Sequence, residues 1–348
     1  MEITISNRKI GDDHPVFIIA ELSANHSQKF DLAVETVKVA KEAGADAVKL
    51  QTYTPDTITI DCDNDYFQIR QGTVWDGKTL YQLYKEAYTP WEWQPKLKMA
   101  AENIGLLCFS SPFDYTAVDF LENMSVPAYK VASFEITDIP LIEYIASKGR
   151  PVIISTGIAA LCDIEAATNA CKRMGNEHIA LLKCTSAYPA PLEEMNLRAI
   201  PNLAETFQTV VGLSDHTMSI SVPAASVALG AKIIEKHFIL DRKAGGPDAA
   251  FSLEPKEFRA MVDAVRDVEK ALGTVSYALS DRTKKSREFS RSLFVVEDVK
   301  SGDMFTEENI RSIRPGFGMS PRHMKDVIGK RANRDIAKGT PLKWDCMQ

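Results

Sequence analysis

Eight short apolar runs recur between residues 17 and 240, and the stretches between many of them carry apolar residues at helical spacing. The runs are "FIIAELS" (17–23), "AVKLQTY" (47–53), "LLCFSS" (106–111), "AYKVAS" (128–133), "PVIISTG" (151–157), "IALLKCT" (179–185), "TVVGLSD" (209–215) and "IIEKHFIL" (233–240). Helical spacing appears in 31–44, 115–124, 138–149, 162–175 and 255–273, several of them ending on glycine. Strand followed by helix followed by strand forces parallel pairing, because a tight hairpin cannot bring the chain back in the same direction. Eight such units over about 250 residues match a (β/α)8 TIM barrel in number and size. An open doubly wound sheet is the rival, but no GxGxxG follows the first run.

Two regions break the rhythm. Residues 54–90 form a long insertion between the second run and its helix, and such insertions are often functional. In a barrel it would lie over the C-terminal mouth. After residue 273 the chain turns polar without apolar periodicity, which marks 274–290 as a linker. Residues 291–348 then read as a small β-rich module, apart from the barrel at 1–273. Inside it "DVKSGDMF" (298–305) and "DIAKGTPL" (335–342) echo each other, as two pseudo-symmetric halves would.

Catalytic groups of a barrel sit where the strands end, and every run here ends polar. The ends carry Glu21, Ser23, Asn25 and His26; Lys49 and Gln51; Ser110 and Ser111; Lys130, Ser133 and Glu135; Ser155 and Thr156; Lys183, Thr185, Ser186 and Tyr188; Ser214, Asp215 and His216; Glu235 and His237. A single serine after a strand is ordinarily a helix cap; eight polar ends together are not ordinary. Lys49, Lys130 and Lys183 with the hydroxyls suit a phosphate and a carboxylate. His216 and His237 end adjacent runs and could hold a divalent metal through neutral imidazoles, leaving positions for water and substrate. The run "IIEKHFIL" poses its own question, because Glu235, Lys236 and His237 resist burial unless paired or metal-bound.

Composition narrows the function classes. The net charge of −6 argues against nucleic acid. No apolar run reaches the roughly 20 residues of a membrane span, and the N-terminus lacks the pattern of a secretion signal. The six cysteines include no CxxC pair. A cytoplasmic protein with no membrane or nucleic-acid partner is expected.

The strings "IIAELSANH" (18–26), "KLQTY" (49–53), "YKVASFE" (129–135), "STG" (155–157), "CTSAYP" (184–189), "GLSDHT" (212–217), "EKHF" (235–238) and "GGPD" (245–248) resemble the sialic acid synthase family. "RSLFVVEDVKSGDMF" through "RPGFGMSP" (314–321) resembles that family's antifreeze-like, or SAF, domain. "AELSANH", "TLYQLYKEAYTPWEW" (79–93) and "GGPDAAFSLEP" (245–255) are similar to its pseudaminic acid synthase branch, and Ser186 stands where the neuraminate branch usually carries asparagine.

The resemblance implies a metal-dependent condensation of phosphoenolpyruvate with an open-chain amino sugar, giving a nine-carbon 2-keto acid and phosphate. For this branch the sugar would be 2,4-diacetamido-2,4,6-trideoxy-L-altrose. It implies catalytic roles for Glu21, His216 and His237, with the histidines on Mn2+, Mg2+ or Co2+. Lys49, Lys130, Ser133, Ser155 and Ser214, together with Ser111, would bind phosphoenolpyruvate. Gln51, Ser186, Tyr188 and Asp248 would contact the sugar, and Phe251 its C6 methyl. Arg314 would reach the site of a neighbouring subunit in a domain-swapped homodimer. Rival readings are an N-acetylneuraminate or legionaminate synthase, a Schiff-base aldolase using Lys130 or Lys183, and a non-catalytic carbohydrate binder.

Overall fold

The computed structural model describes residues 1–70 and 72–348. The chain divides into two compact units, Met1–Gly273 and Thr274–Gln348. The first opens with an antiparallel hairpin of β1 (Glu2–Ile5) and β2 (Arg8–Gly11). Eight parallel strands follow: β3 (Phe17–Glu21), β4 (Ala47–Thr52), β5 (Leu107–Pro112), β6 (Tyr129–Val131), β7 (Val152–Ser155), β8 (Ile179–Cys184), β9 (Val210–Asp215) and β10 (Ile233–His237). They close in the order β10-β3-β4-β5-β6-β7-β8-β9. The fold is therefore the TIM barrel, and closure excludes the open sheet.

Helices form in all five stretches with helical spacing, and others, among them Gln94–Asn103, Ala199–Phe207 and Ser221–Ala228, form outside them; local chemistry sets the ends. Asp114 accepts from the amides of Thr116 and Ala117 to start the helix Tyr115–Asn123, and Asp138 accepts from Leu141 N to start Ile139–Ala146. The helix Pro255–Leu272 begins on proline, whose missing N–H costs nothing there. It buries Phe258, Met261, Val262 and Val265, one stripe at i, i+3, i+4 and i+7.

The hairpin β1–β2 escaped the sequence reading. Its strands are four residues each and rich in charge, yet Ile3, Ile5 and Ile10 join the same core as Phe17. Asp12, just after it, pairs with Lys232 just before β10, so the hairpin lies at the N-terminal end of the strands. The insertion is not structureless either. A capped turn, Pro55–Ile58, and a helix, Leu80–Ala87, each carry a threonine capping box.

The second unit holds β11 (Ser292–Val295) and β12 (Ile310–Ile313), antiparallel, over a small core that includes Leu293, Val295, Phe305 and Leu342. Before them a short exposed helix, Asp281–Ser286, interrupts the expected linker. The internal echo is physical: Val299 bridges Ile336, Asp298 caps Lys338 N at 2.8 Å, and Asp335 caps Ser301 N at 2.9 Å. Each acid thus caps the amide three residues beyond its counterpart. Among the described residues, no helix is long and apolar enough to cross a membrane.

Candidate active site

Alternation along a strand decides which polar residues meet. Lys49 and Gln51 share one face of β4; Glu235 and His237 share one face of β10; Ser214 and His216 follow the same parity at the end of β9. The register pairs His237 with Glu21 and Glu235 with Ser214. These side chains converge in the barrel mouth, nearly all buried.

Lys49 is the hub. Its Nζ lies 2.8 Å from Glu21 Oε2, 3.2 Å from Glu235 Oε1 and 3.3 Å from Ser111 Oγ. Gln51 donates to Glu21 Oε1 at 3.1 Å and to Ser23 Oγ at 3.0 Å. Lys130 donates to Ser155 Oγ at 2.6 Å and stands 4.0 Å from Glu235 Oε1, while Ser214 donates to that same oxygen at 3.3 Å. Ser133 accepts from Gly157 N at 3.1 Å and donates to Cys184 Sγ at 3.3 Å. Two lysines and several hydroxyls gathered in one mouth are a set of donors suited to an anion.

Burial sets the protonation. It raises Glu21 to about 7 despite Lys49 beside it, with Glu235 adding to the rise. It lowers Lys130, against the pull of Glu235. Burial also raises Glu135, in the same short turn as Ser133, to about 7. A carboxyl held near neutrality can both take and give a proton.

The two imidazoles stand with ring centroids 5.3 Å apart. His216 Nδ1 lies 2.9 Å from the Thr185 carbonyl, which can only accept, so Nδ1 carries a proton and Nε2 faces onward. His237 Nδ1 is buried with no hydrogen-bond partner, 3.9 Å from Asp248 Oδ2. Burial, aided by the charges of His216 and the neighbouring lysines, drives His237 well below its ordinary value. An unpartnered ring nitrogen on a neutral imidazole is free to present its lone pair to a cation. Among the described residues no group of three or more His, Cys, Asp or Glu is arranged to hold a metal. Water and substrate oxygens would therefore have to complete the shell of any ion on this pair.

The remaining wall is aromatic. Tyr188 packs at 4.4 Å from His216 and 5.0 Å from Phe251, and Phe251 lies 4.9 Å from His237. Asp248 accepts from Ser23 Oγ and, at 3.4 Å, from Ala24 N. Ser186 Oγ is buried against Gly157, where an added Cβ would collide with the Ser186 and Ser133 hydroxyls. Glycine there is a steric requirement of the site.

Several polar strand ends lie elsewhere. Lys183 alternates with Cys184 and so takes the opposite face; its Nζ donates to the Cys184 carbonyl at 2.5 Å and to Thr185 Oγ1 at 3.3 Å. Ser110 bonds Thr52 at 2.6 Å, off the site face. His26 lies under Trp93 at 5.6 Å, with Nε2 3.2 Å from Thr89 Oγ1, and burial lowers it to about 4. Asn25 clamps the Phe238 carbonyl and Ser252 Oγ. These two are scaffold. Lys236 faces away from the mouth and pairs with an acid on the neighbouring strand, Asp215 Oδ2, at 2.6 Å. Arg314 belongs to the second unit, directly after β12, and is exposed.

Cys184 was not singled out by the sequence. It sits 3.9 Å from His216 Nδ1. Burial opposes charge on both groups, yet their contact lowers the thiol to about 7 and raises the imidazole. Trp75 was missed too, since nothing local in the insertion ties it to the mouth.

Residues 36–277 match the NeuB family and residues 290–347 the SAF domain. A pseudaminic acid synthase of Campylobacter jejuni subsp. jejuni serotype O:2 is 47% identical over 331 residues, 95% of this chain and 96% of that one. An N,N'-diacetyllegionaminic acid synthase of Legionella pneumophila is 36% identical over 98% of each chain. The crystal structure of an N-acetylneuraminic acid synthetase from Leptospira borgpetersenii in complex with citrate superposes with a TM-score of 0.73 at 34% identity, covering 82% of this chain and 95% of that one.

Proposed function

The chain belongs to the NeuB family, and from that membership we propose that it is a pseudaminic acid synthase. It is an enzyme that joins phosphoenolpyruvate to an amino sugar. The finer assignment takes 2,4-diacetamido-2,4,6-trideoxy-L-altrose as the sugar. The observation that carries it is the higher identity to a pseudaminic acid synthase, 47%, than to a legionaminic acid synthase, 36%, each over nearly the whole chain. The apolar ring of Phe251 beside His237 supports a methyl-bearing sugar.

In this reading Lys49 and Lys130 neutralise the phosphate and carboxylate of phosphoenolpyruvate, and Ser111, Ser133, Ser155 and Ser214 fix their orientation. Gln51, Ser186, Tyr188 and Asp248 hold the sugar. His216 and His237 would bind a divalent cation, Mn2+, Mg2+ or Co2+. When bound, such an ion supplies Lewis acidity toward the aldehyde oxygen. The enol carbon forms the new bond to the aldehyde carbon; water adds at the carbon bearing phosphate; the carbon–oxygen bond to phosphate then breaks. Glu21, held near neutrality, moves the proton and faces the positive charge that develops at that carbon. Arg314, exposed on the second unit, would contact the sugar across a domain-swapped homodimer.

Mass spectrometry of the product from the altrose derivative, phosphoenolpyruvate and Mn2+ tests the assignment. A nine-carbon diacetamido acid is expected, with turnover abolished by EDTA and restored by Mn2+. Turnover that survives EDTA, with borohydride trapping of pyruvate on Lys130, would establish the Schiff-base aldolase instead. For the dimer, mixed Arg314→Ala and Glu21→Gln subunits should recover part of the activity; no recovery counts against exchange of the second unit.

A further inference from the structure

The insertion between β4 and its helix reaches the loop that follows β10. Trp75 Nε1 donates to the Pro247 carbonyl at 2.8 Å, a contact spanning 172 residues, immediately beside Asp248. The Trp75 ring meets Tyr188 at 5.5 Å and stands perpendicular to Phe251 at 6.2 Å. With Phe251 on His237 and Tyr188 on His216, five rings make one wall. The imidazoles form its base, and half-buried Trp75 is its outermost ring.

We infer that Trp75 is a specificity-determining residue that packs on the C6 end of the amino sugar and favours a methyl group there over a hydroxymethyl. The inference rests on the pseudaminic reading of the site. An aldehyde carbon held at the imidazoles places C6 of an extended hexose about 6 Å away, five carbon–carbon bonds on. That span carries it past Phe251, whose ring centroid lies 4.9 Å from that of His237, toward Trp75. Rings at that end give a methyl dispersion contact and strip water from a hydroxyl without replacing its hydrogen bonds. The one polar atom of the indole, Nε1, is already committed to Pro247 O. Apolar surfaces of this kind discriminate by roughly ten- to two-hundred-fold.

The test compares 2,4-diacetamido-2,4,6-trideoxy-L-altrose with its 6-hydroxy counterpart, following phosphate release from phosphoenolpyruvate. The wild type should prefer the deoxy sugar. Trp75→Ala should lower kcat/KM for that sugar about ten-fold, through KM rather than kcat, and shrink the preference by a similar factor. Trp75→Phe should retain much of the preference because it keeps a ring. Trp75→Gln, which keeps a donor for Pro247 O, should behave like alanine; this separates loss of the ring from loss of the loop anchor. An undiminished preference in folded Trp75→Ala and Trp75→Gln overturns the inference alone. Failure of the wild type to turn over the deoxy sugar removes the substrate reading and this inference together.

Discussion

Strands β9 and β10 carry two buried polar faces, and they are built on opposite terms. On the outer face Lys236 donates to Asp215 Oδ2 and to the Thr217 carbonyl, while Asp215 also accepts from Thr217 N at 2.9 Å and Thr217 Oγ1 at 3.1 Å. Lys236 and Asp215 are both fully buried, and both are satisfied. On the inner face Glu235 Oε2 and His237 Nδ1 have no hydrogen-bond partner, and Glu135 Oε2 across the mouth is in the same position. Buried polar groups left open are costly in a folded chain, and their clustering around the mouth is what a ligand could satisfy. The comparison answers why one strand carries Glu-Lys-His in sequence. Alternation sends the middle residue to the scaffold and the outer two into the barrel mouth.

The largest expected effect is on the inner face, in turnover rather than stability. Glu21→Gln should lower kcat by about 10²–10⁴-fold. Burial already favours the neutral form of Glu21, so the amide should leave the melting temperature unchanged or raised at pH 8. Steady-state phosphate release and thermal melting check both halves; full turnover in the folded variant would take the acid out of the mechanism.

The outer face should show the reverse. Lys236→Met leaves Asp215 as a buried, uncompensated charge and should cost about 3–5 kcal/mol in urea unfolding. Lys236→Met combined with Asp215→Leu should recover much of that loss, since an apolar pair can replace a buried ion pair. The Thr217 turn follows His216 directly, so the cation site proposed on His216 and His237 should also hold Mn2+ more weakly in the single variant, read by electron paramagnetic resonance. A single variant as stable as the wild type would erase the contrast between the two faces.

Much of this was legible in the sequence, and the parts that were not share a cause. Period-two alternation within one strand put Lys49 with Gln51 and Glu235 with His237. Helical spacing gave the stripe on 255–272. The facing of Lys183 was hidden, because it depends on the register that sets Cys184 beside Ser214 across β8 and β9. Ser110 and Ser111 are adjacent serines; only pairing of Ser111 with Gln51 shows which one looks inward. Gly157, Cys184 and Trp75 acquire their roles from residues 24 to 172 positions away. The hairpin β1–β2 was hidden for another reason: its strands are four residues each, too short for the Ile3/Ile5 alternation to stand out, and only burial in the same core as Phe17 shows them to be core.

The smallest effect sharpens what an open polar atom means. Glu135 is held near 7 by burial, above the ordinary 4.5, with Lys130 as the main opposing influence. A raised carboxyl pKa means the folded state holds its proton where the unfolded chain has released it. Stability is therefore fully present below about 4.5 and is lost as the pH climbs toward 7, by up to about 3 kcal/mol at pH 8. Glu135→Gln removes the titrating group. It should match the wild type in urea unfolding at pH 4.5 and exceed it at pH 8, with the gap opening between those values. Saturating phosphoenolpyruvate should narrow the gap if the wild-type carboxyl then finds a partner, because ligand binding to the folded state adds stability. A gap of the same sign at both pH values would show that Glu135 is limited by packing instead, and would move it from the open inner face to the satisfied scaffold.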